Sequence, residues 1–169
     1  MRNIWHTAWM KAISVVVLLV WMFVISGFSA QTGEESSSVS MAVSEWVAES
    51  YSAVVEPQLS EEQVQAIAIR IEFPVRKIAH FSEYGIMACL AWYVLFCFGY
   101  RRWKNGIVVL FCFLYASVDE MHQLFVNGRS SRFTDVCIDT SGAFLAMLIV
   151  FLVQVCYDKH CCRKKLVQP

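Results

Sequence analysis

The sequence has few charged residues and no excess of either sign. Only 17% of its 169 residues are Asp, Glu, Lys or Arg, against about 25% in ordinary soluble domains. The 14 basic and 14 acidic residues cancel, so the chain lacks the basic footprint of a nucleic-acid-binding protein. The chain is 57% hydrophobic, and its apolar residues are clustered in runs. This composition excludes a disordered chain and predicts a membrane protein whose partner is the lipid bilayer.

Several motifs are also missing from the sequence. It contains no ATP-binding loop, dinucleotide fingerprint or serine nucleophile elbow. The number of cysteines is odd, at seven, and none lies within residues 30–76, so a disulfide-stapled ectodomain is excluded. His160, Cys161 and Cys162 are adjacent, but their spacing matches no standard zinc site.

Four apolar runs approach the length of about 20 residues that a membrane-spanning helix needs. They cover about 12–28, 81–100, 106–126 and 136–157. The third run meets Asp119 and Glu120 before it reaches that length. Basic segments lie on both sides of runs three and four, and basic flanks prefer the cytoplasm. An even number of crossings must then separate these segments, so the third run is predicted to span as well.

The distribution of charge predicts the topology. Both termini are expected in the cytoplasm, with residues 30–76 and 127–134 outside. Cleavage of the first run as a signal peptide is the alternative to an anchor. It would place bulky Phe28 three residues before a cut after Ala30, although a cut after Ser29 is permissible. We expect an anchor. Of the 14 basic residues, nine are predicted to lie inside: Arg2, Lys11, Arg101, Arg102, Lys104, Lys159, Arg163, Lys164 and Lys165.

The outer segment 30–76 contains helix signals. Ser36–Ser38 reads as a linker, and residues 40–56 form a weak amphipathic pattern. Ser60 and Gln63 have the spacing of a capping box, and Pro74 is expected to end that helix or begin the next. These helices are expected to pack on the bundle or to lie in the outer interface beside a lipid-facing site. The predicted fold is a single all-α domain over 1–169, an integral membrane bundle of four transmembrane helices with an amphipathic, partly helical outer loop.

Ionisable residues are concentrated at the predicted outer ends of the helices. Such groups are costly in a membrane unless they are paired or hydrated. They are therefore expected to face one another around an outward-opening polar pocket. Arg76 or Arg129 is expected to neutralise an aspartate, and His80 to lie within reach of a carboxylate. Small residues at Gly142 and Ala146 are expected to allow close helix approach. The ionisable and polar residues at this depth are Arg76, His80 and Glu83; Asp119, His122 and Gln123; Arg129 and Arg132; and Asp135 and Asp139.

Several of these segments resemble the signatures of the VanZ-like family. They are residues 28–33 (FSAQTG), 76–84 (RKIAHFSEY), 117–125 (SVDEMHQLF), 128–129 (GR) and 135–142 (DVCIDTSG). The resemblance implies a multi-pass protein of the bacterial cytoplasmic membrane. The namesake of the family is associated with low-level resistance to teicoplanin, a glycopeptide with a fatty acyl chain. The implied ligand is therefore an envelope lipid or a lipoglycopeptide.

The pocket could recognise or modify such a ligand. A histidine could act as a base that a carboxylate orients, and the arginines could hold a phosphate or carboxylate head group. The candidate catalytic residues are His80, Glu83, Asp119, Glu120, His122, Asp135 and Asp139. The candidate ligand-binding residues are Arg76, Lys77, Tyr84, Gln123, Arg129, Ser29 and Gln31.

Other functions fit the same polar cluster. It could only lock the helix bundle together. His80 with Glu83 and Asp119 with His122 could contribute ligands to a metal-dependent membrane hydrolase. Carboxylates and histidines also suit a proton relay or transporter. The sequence identifies no cofactor and no oligomeric state.

Overall fold

The structure is a computed structural model that describes residues 8–56, 59–100 and 103–167, with side chains described as far as residue 160. Within these ranges it contains five helices and no strand, so the all-α prediction is confirmed. The helices are α1 (Ala8–Ser29), α2 (Gly33–Val54), α3 (Glu61–Cys97), α4 (Lys104–Gln123) and α5 (Phe133–Val167).

Three of these helices are long and apolar enough to cross a membrane. They are α1, α3 and α5, the last over Phe133–His160. Large apolar side chains such as Phe23 and Phe151 are exposed, which suits contact with lipid rather than water. Helix α4 corresponds to the third predicted crossing, but Lys104, Asp119 and Glu120 lie within its 20 residues. The topology with four crossings and cytoplasmic termini therefore stays a prediction.

Helix α3 is longer than the sequence suggested. It continues through Pro74 without a break, so the prediction of a helix boundary there is wrong. The capping box is confirmed, because Ser60 Oγ accepts from the Gln63 amide at 3.3 Å and Gln63 Oε1 accepts from the Ser60 amide at 2.9 Å. Proline removes one backbone hydrogen bond from a helix. Packing against all four other helices holds α3 together past that point.

The described residues of segment 30–76, which is predicted to lie outside, are mostly helical. Ser36–Ser38, expected as a linker, lies in the first turns of α2, because serine hydroxyls here bond back to the helix backbone. Ser38 Oγ, for example, donates to the Glu35 carbonyl at 2.7 Å. Thr32 and Glu35 form a capping box that begins the helix. Helix α2 then packs along the first half of α3 through small buried residues, including Ser44 and Ala48.

The apolar core lies among α1, α3, α4 and α5. Helices α3 and α5 approach so closely that a Cβ atom added to Gly142 would sit 2.0 Å from the carbonyl oxygen of Phe81. The expectation of close helix approach at Gly142 is thus confirmed. The same approach brings residues near His80 next to the first turns of α5. The buried core residues are Ile25, Tyr84, Met87, Ala88, Ala91, Val108, Cys112, Ala116, Val136, Ala143 and Met147.

Some predictions fall outside the described part of the chain. Arg2, Arg101 and Arg102 are outside the described residues, as are the side chains from Cys161 onward.

Helix α5 begins three residues before the predicted run, at Phe133, and extends to Val167. Among the described cysteines, Cys97 and Cys112 are buried, while Cys89, Cys137 and Cys156 are exposed.

Candidate functional site

A polar cavity of about 220 Å³ lies at one end of the bundle. It is bounded by the start of α2, the middle of α3, the end of α4, the 124–132 loop and the start of α5. We call it the polar cavity. Its lining residues are Gly33, Ser37, Phe73, Arg76, Lys77, His80, Glu120, Gln123, Gly128, Arg129, Ser130, Arg132, Asp135, Ile138 and Asp139.

Two glycines seat the 124–132 loop against the start of α2. The Gly33 amide donates to the Asn127 carbonyl at 3.1 Å. A Cβ atom at Gly33 would lie 2.2 Å from the Gly128 carbonyl oxygen. Gly128 itself has a φ of 74°, in the left-handed region that favours glycine. This close backbone contact places the neighbouring Arg129 at the rim of the cavity.

The two cations that α3 contributes to the polar cavity have carboxylate partners. Lys77 Nζ lies 2.6 Å from Asp135 Oδ1, which joins α3 to α5. Arg76 pairs with Glu72, one turn earlier on the same helix, and donates to Ser37 Oγ on α2 at 2.7 Å. The expectation that Arg76 or Arg129 would neutralise an aspartate is wrong. Glu72 lies closer to Arg76 because a spacing of four residues puts both on one helix face.

Arg129 is held by backbone oxygens rather than by an acid. Its Nε atom donates to the Gln31 carbonyl at 3.1 Å, and its Nη2 atom donates to the Phe28 carbonyl at 3.1 Å. No carboxylate in the described ranges forms an ion pair with it, and Nη1 makes no hydrogen bond to those residues. Burial, and then the nearby cation of Arg76, lower the pKa of Arg129 from its ordinary value. The guanidinium is thus fixed in place with unused hydrogen-bonding capacity.

Two acids at the end of α4 have separate partners. Glu120 Oε2 accepts from the Arg132 amide at 2.9 Å, so this carboxylate ties the loop to α4. Asp119 Oδ2 lies 3.4 Å from Gln123 Nε2, which also donates to Ser29 Oγ at 2.9 Å. Asp119, Gln123 and Ser29 are all buried. The Ser29–Gln123–Asp119 group therefore connects the end of α1 to α4 behind the polar cavity.

A second cavity of about 250 Å³ opens beside the first. We call it the side cleft. It shares Arg76, His80 and Arg129 with the polar cavity, and most of its other lining is apolar. In this cleft His80 Nδ1 lies 3.7 Å from Glu83 Oε2, so the expectation that His80 lies within reach of a carboxylate is confirmed. The lining residues are Phe28, Gln31, Ser36, Val39, Ser40, Val43, Val75, Arg76, Ala79, His80, Glu83 and Arg129.

The structure gathers most of the sequence-predicted site residues at these two cavities. His122 is an exception: it is exposed, and it lines neither cavity. Tyr84 is fully buried in the core. Among the residues whose side chains are described, no three His, Cys, Asp or Glu residues are grouped so that they could hold a metal ion. The two pairs considered as metal ligands therefore do not converge on one point.

Sequence reasoning missed several residues that build the site. Glu72, Ser37 and Ser40 form a hydrogen-bonded group with Arg76. Gly33 and Gly128 make the close contact described above. The spacing of Glu72 and Arg76 was a usable signal, since acid and base four residues apart are neighbours on a helix. The serines gave no such signal, because their role depends on how α2 packs against α3.

A comparison with protein families identifies the chain. The model described as VanZ/LLP1 matches residues 14–154, which is most of the sequence. No match was found among curated proteins or among solved structures. The matched segment includes every residue that lines the polar cavity and the side cleft. The chain therefore belongs to the VanZ/LLP1 family.

Proposed function

We propose that this chain is a multi-pass protein of the bacterial cytoplasmic membrane whose polar cavity opens to the outer face and recognises an envelope lipid or a lipoglycopeptide. One observation carries the proposal. Charged side chains from α3, α4, α5 and the 124–132 loop converge on a single cavity, while the outer faces of the helices expose large apolar side chains. Ionisable groups at membrane depth mark functional sites when they gather in this way.

A cluster that only locked the helices together would be expected to use all of its polar atoms. Part of this cluster does lock the bundle, notably Lys77 with Asp135 and Glu120 with the Arg132 amide. Other buried atoms at the same place have no hydrogen-bond partner among the described residues, including Asp139 Oδ1 and Arg76 Nε. Buried polar groups without partners are rare and costly. Donors and acceptors without partners at the cavities favour a ligand-binding role over a purely structural one.

Charge in the sequence supports an outward direction for the cavity. The cavity end of the bundle contains the end of α1, the end of α4 and the start of α5. Lys11 and Lys104 lie at the opposite ends of α1 and α4. Basic residues prefer the cytoplasmic side. The polar cavity would then face outward, where cell-envelope lipids and lipoglycopeptides are found.

Recognition is the role that the geometry supports best, and modification of the ligand is a further step of the proposal. His80 lies at both cavities and close to Glu83, so this pair is the best placed to move a proton. Asp139 is the next candidate, because its Oδ1 atom is unpartnered in the described part of the chain. Low-level teicoplanin resistance would follow if the cavity bound either the antibiotic itself or a membrane lipid that surrounds it.

Teicoplanin susceptibility tests the proposal. Four strains would be compared, making the wild type, Asp119→Asn, Glu49→Gln or none of these proteins, with the amount of each protein in the membrane measured in the same cultures. Asp119 is buried behind the polar cavity, whereas Glu49 is exposed on α2. We expect the wild type and Glu49→Gln to protect, and Asp119→Asn to accumulate normally without protecting.

Two results would count against parts of the proposal. If Asp119→Asn disappears from the membrane while Glu49→Gln does not, Asp119 is structural and the cluster serves mainly as a lock. If the wild type gives no protection at normal membrane levels, teicoplanin resistance does not extend to this chain. Lipid analysis of the purified wild type would then test recognition of an envelope lipid by itself.

A further inference from the structure

The polar cavity presents a half-buried cation without a carboxylate partner and a buried acceptor without a hydrogen-bond donor. The guanidinium of Arg129 is fixed by two backbone carbonyls and has no carboxylate partner among the described residues. Asp139 is 3% exposed, and its Oδ1 atom has no hydrogen-bond partner in that part of the chain. Both residues line the same cavity. A ligand that completes this site must bring an anion for Arg129 and a hydrogen-bond donor for Asp139.

Four of the other charged side chains in the polar cavity have partners, and the fifth, Arg132, is exposed. Asp135 is paired with Lys77, Glu120 accepts from the Arg132 amide, and Arg76 is paired with Glu72. Guanidinium groups match the planar and tetrahedral oxygens of carboxylates and phosphates. In a bilayer the abundant anionic groups are phosphates. The cavity, at about 220 Å³, is also far larger than the space that a single water needs.

The side cleft supplies a place for an apolar chain. It meets the polar cavity at Arg129, Arg76 and His80. Beyond these residues its walls come from the end of α1, one face of α2 and one face of α3, and they include Phe28, Val43 and Ala79. Anion, donor and chain could therefore belong to one molecule that enters from the surrounding lipid.

We propose that the polar cavity binds the head group of an anionic phospholipid that carries a hydroxyl, with the phosphate at Arg129, the hydroxyl at Asp139 and an acyl chain in the side cleft. This inference rests on the proposed function and names the chemical class of its ligand. Phosphatidylglycerol has all three parts: one phosphate charge, glycerol hydroxyls and two acyl chains.

Lipid binding to the purified full-length chain tests this assignment, with native mass spectrometry in detergent as the readout. Four probes separate the three parts of the ligand. Dioleoyl phosphatidylglycerol has them all, dioleoyl phosphatidylmethanol lacks the hydroxyl, and dioleoyl phosphatidylcholine lacks both the hydroxyl and the net charge. Soluble glycerol phosphate lacks the chain. We expect the wild type to bind phosphatidylglycerol most tightly, about tenfold or more over phosphatidylcholine, as charge-assisted hydrogen bonds provide.

Three variants assign the parts of the ligand to residues. Arg129→Gln should weaken the binding of phosphatidylglycerol and of phosphatidylmethanol alike, by about tenfold or more. Asp139→Ala should reduce the affinity for phosphatidylglycerol to that for phosphatidylmethanol. Ala79→Phe should fill the side cleft. It should weaken the binding of phosphatidylglycerol without changing the binding of glycerol phosphate. Arg70→Gln is the matched arginine control, because Arg70 is exposed on α3 and lines neither cavity.

The wild type alone can overturn the proposal, so the test does not depend on a variant that folds. Equal binding of phosphatidylglycerol and phosphatidylcholine would refute the preference for an anionic head group. Equal binding of phosphatidylglycerol and phosphatidylmethanol would refute the role of Asp139. Tight binding of glycerol phosphate would indicate a soluble ligand and refute the chain in the side cleft. In each case a wild type that still protects cells against teicoplanin would leave the broader proposed function standing.

Discussion

The polar cavity and a larger apolar groove make an instructive contrast. The apolar groove, of about 550 Å³, runs between α4 and α5. Its lining residues are Asn105, Gly106, Val109, Leu110, Phe113, Thr140, Phe144, Met147, Leu148 and Phe151. It is more than twice the volume of the polar cavity, yet it offers almost nothing that could orient a ligand. Size alone does not identify a binding site in a membrane protein, because lipid tails fill apolar grooves without specific contacts.

The two regions also differ in how tightly their helices approach. At the polar end, backbone meets backbone at Gly33 with Gly128 and at Gly142 with Phe81. In the apolar groove, a Cβ atom added to Gly106 would meet nothing within 4 Å. Tight backbone contact fixes the positions of charged side chains, and ligand recognition requires that precision.

A matched pair of glycine substitutions should give opposite results. Gly142→Ala should lower the free energy of unfolding by about 1–3 kcal/mol, because the new methyl group collides with the Phe81 backbone. Gly106→Ala should be neutral or stabilising by up to about 1 kcal/mol, since alanine favours a helix more than glycine does. Unfolding in detergent, followed by circular dichroism, measures both. Equal effects from the two changes would refute the difference in packing.

The buried Ser29–Gln123–Asp119 group should cost stability when its central member is removed. Gln123→Ala leaves Ser29 Oγ and Asp119 Oδ2 without the amide donor that they share. The expected loss is about 1–3 kcal/mol. A double-mutant cycle with Ser29→Ala should give a coupling of about 0.6 kcal/mol, the average for hydrogen bonds between membrane helices. Strict additivity would show that the contact between α1 and α4 contributes nothing.

The loss of a polar contact at the apolar end should matter less. Trp92 Nε1 donates to Asn105 Oδ1 at 3.1 Å, joining α3 to α4. Trp92→Phe keeps an aromatic ring but removes this bond, so the expected loss is about 0.5–1.5 kcal/mol. Trp46→Phe serves as the control, because Trp46 is 67% exposed on α2. If Trp92→Phe lowered the free energy of unfolding more than Gln123→Ala does, polar contacts would not matter more at the polar end than at the apolar end.

The smallest effect concerns the cap of α2 and depends on pH. Hydrogen bonds from the Thr32 amide and hydroxyl to Glu35 lower the pKa of that carboxyl below its ordinary value of 4.5. A lowered pKa in the folded state stabilises the protein above the ordinary pKa, and this stabilisation is lost as pH falls through the lowered value.

The stability difference between the wild type and Glu35→Ala should therefore shrink when unfolding is measured at pH 3 instead of pH 7. Glu34→Ala is the neighbouring control, since Glu34 makes no hydrogen bond to Thr32 among the described residues. The cap would have no electrostatic role if both variants responded to pH in the same way.

Local patterns in the sequence were sufficient for much of the fold. The apolar runs predicted α1, the second half of α3 and the membrane part of α5, because a helix in lipid needs a long apolar stretch. The capping box at Ser60 and Gln63 predicted the start of α3, since both partners lie within one turn. Family membership was also evident in the spacing of motifs from residue 28 to residue 142, and the family match confirms it.

Contacts between distant residues decided the rest. Local rules stop a helix at Pro74, but packing against four helices carries α3 through it. Spacing placed Arg76, His80 and Asp139 at one depth. It could not show that Arg76 pairs with Glu72, or that Arg129 is held by one carbonyl at the end of α1 and one in the α1–α2 connection. His122 and Gln123 are neighbours in the same polar stretch of the sequence, so local sequence does not separate their roles. Only the rotation of α4 exposes His122 and buries Gln123. The sequence by itself determined which polar residues lie at this level of the bundle, because periodicity and hydropathy act along the chain. The tertiary structure alone decided which of them meet, because pairing depends on helix rotation and approach.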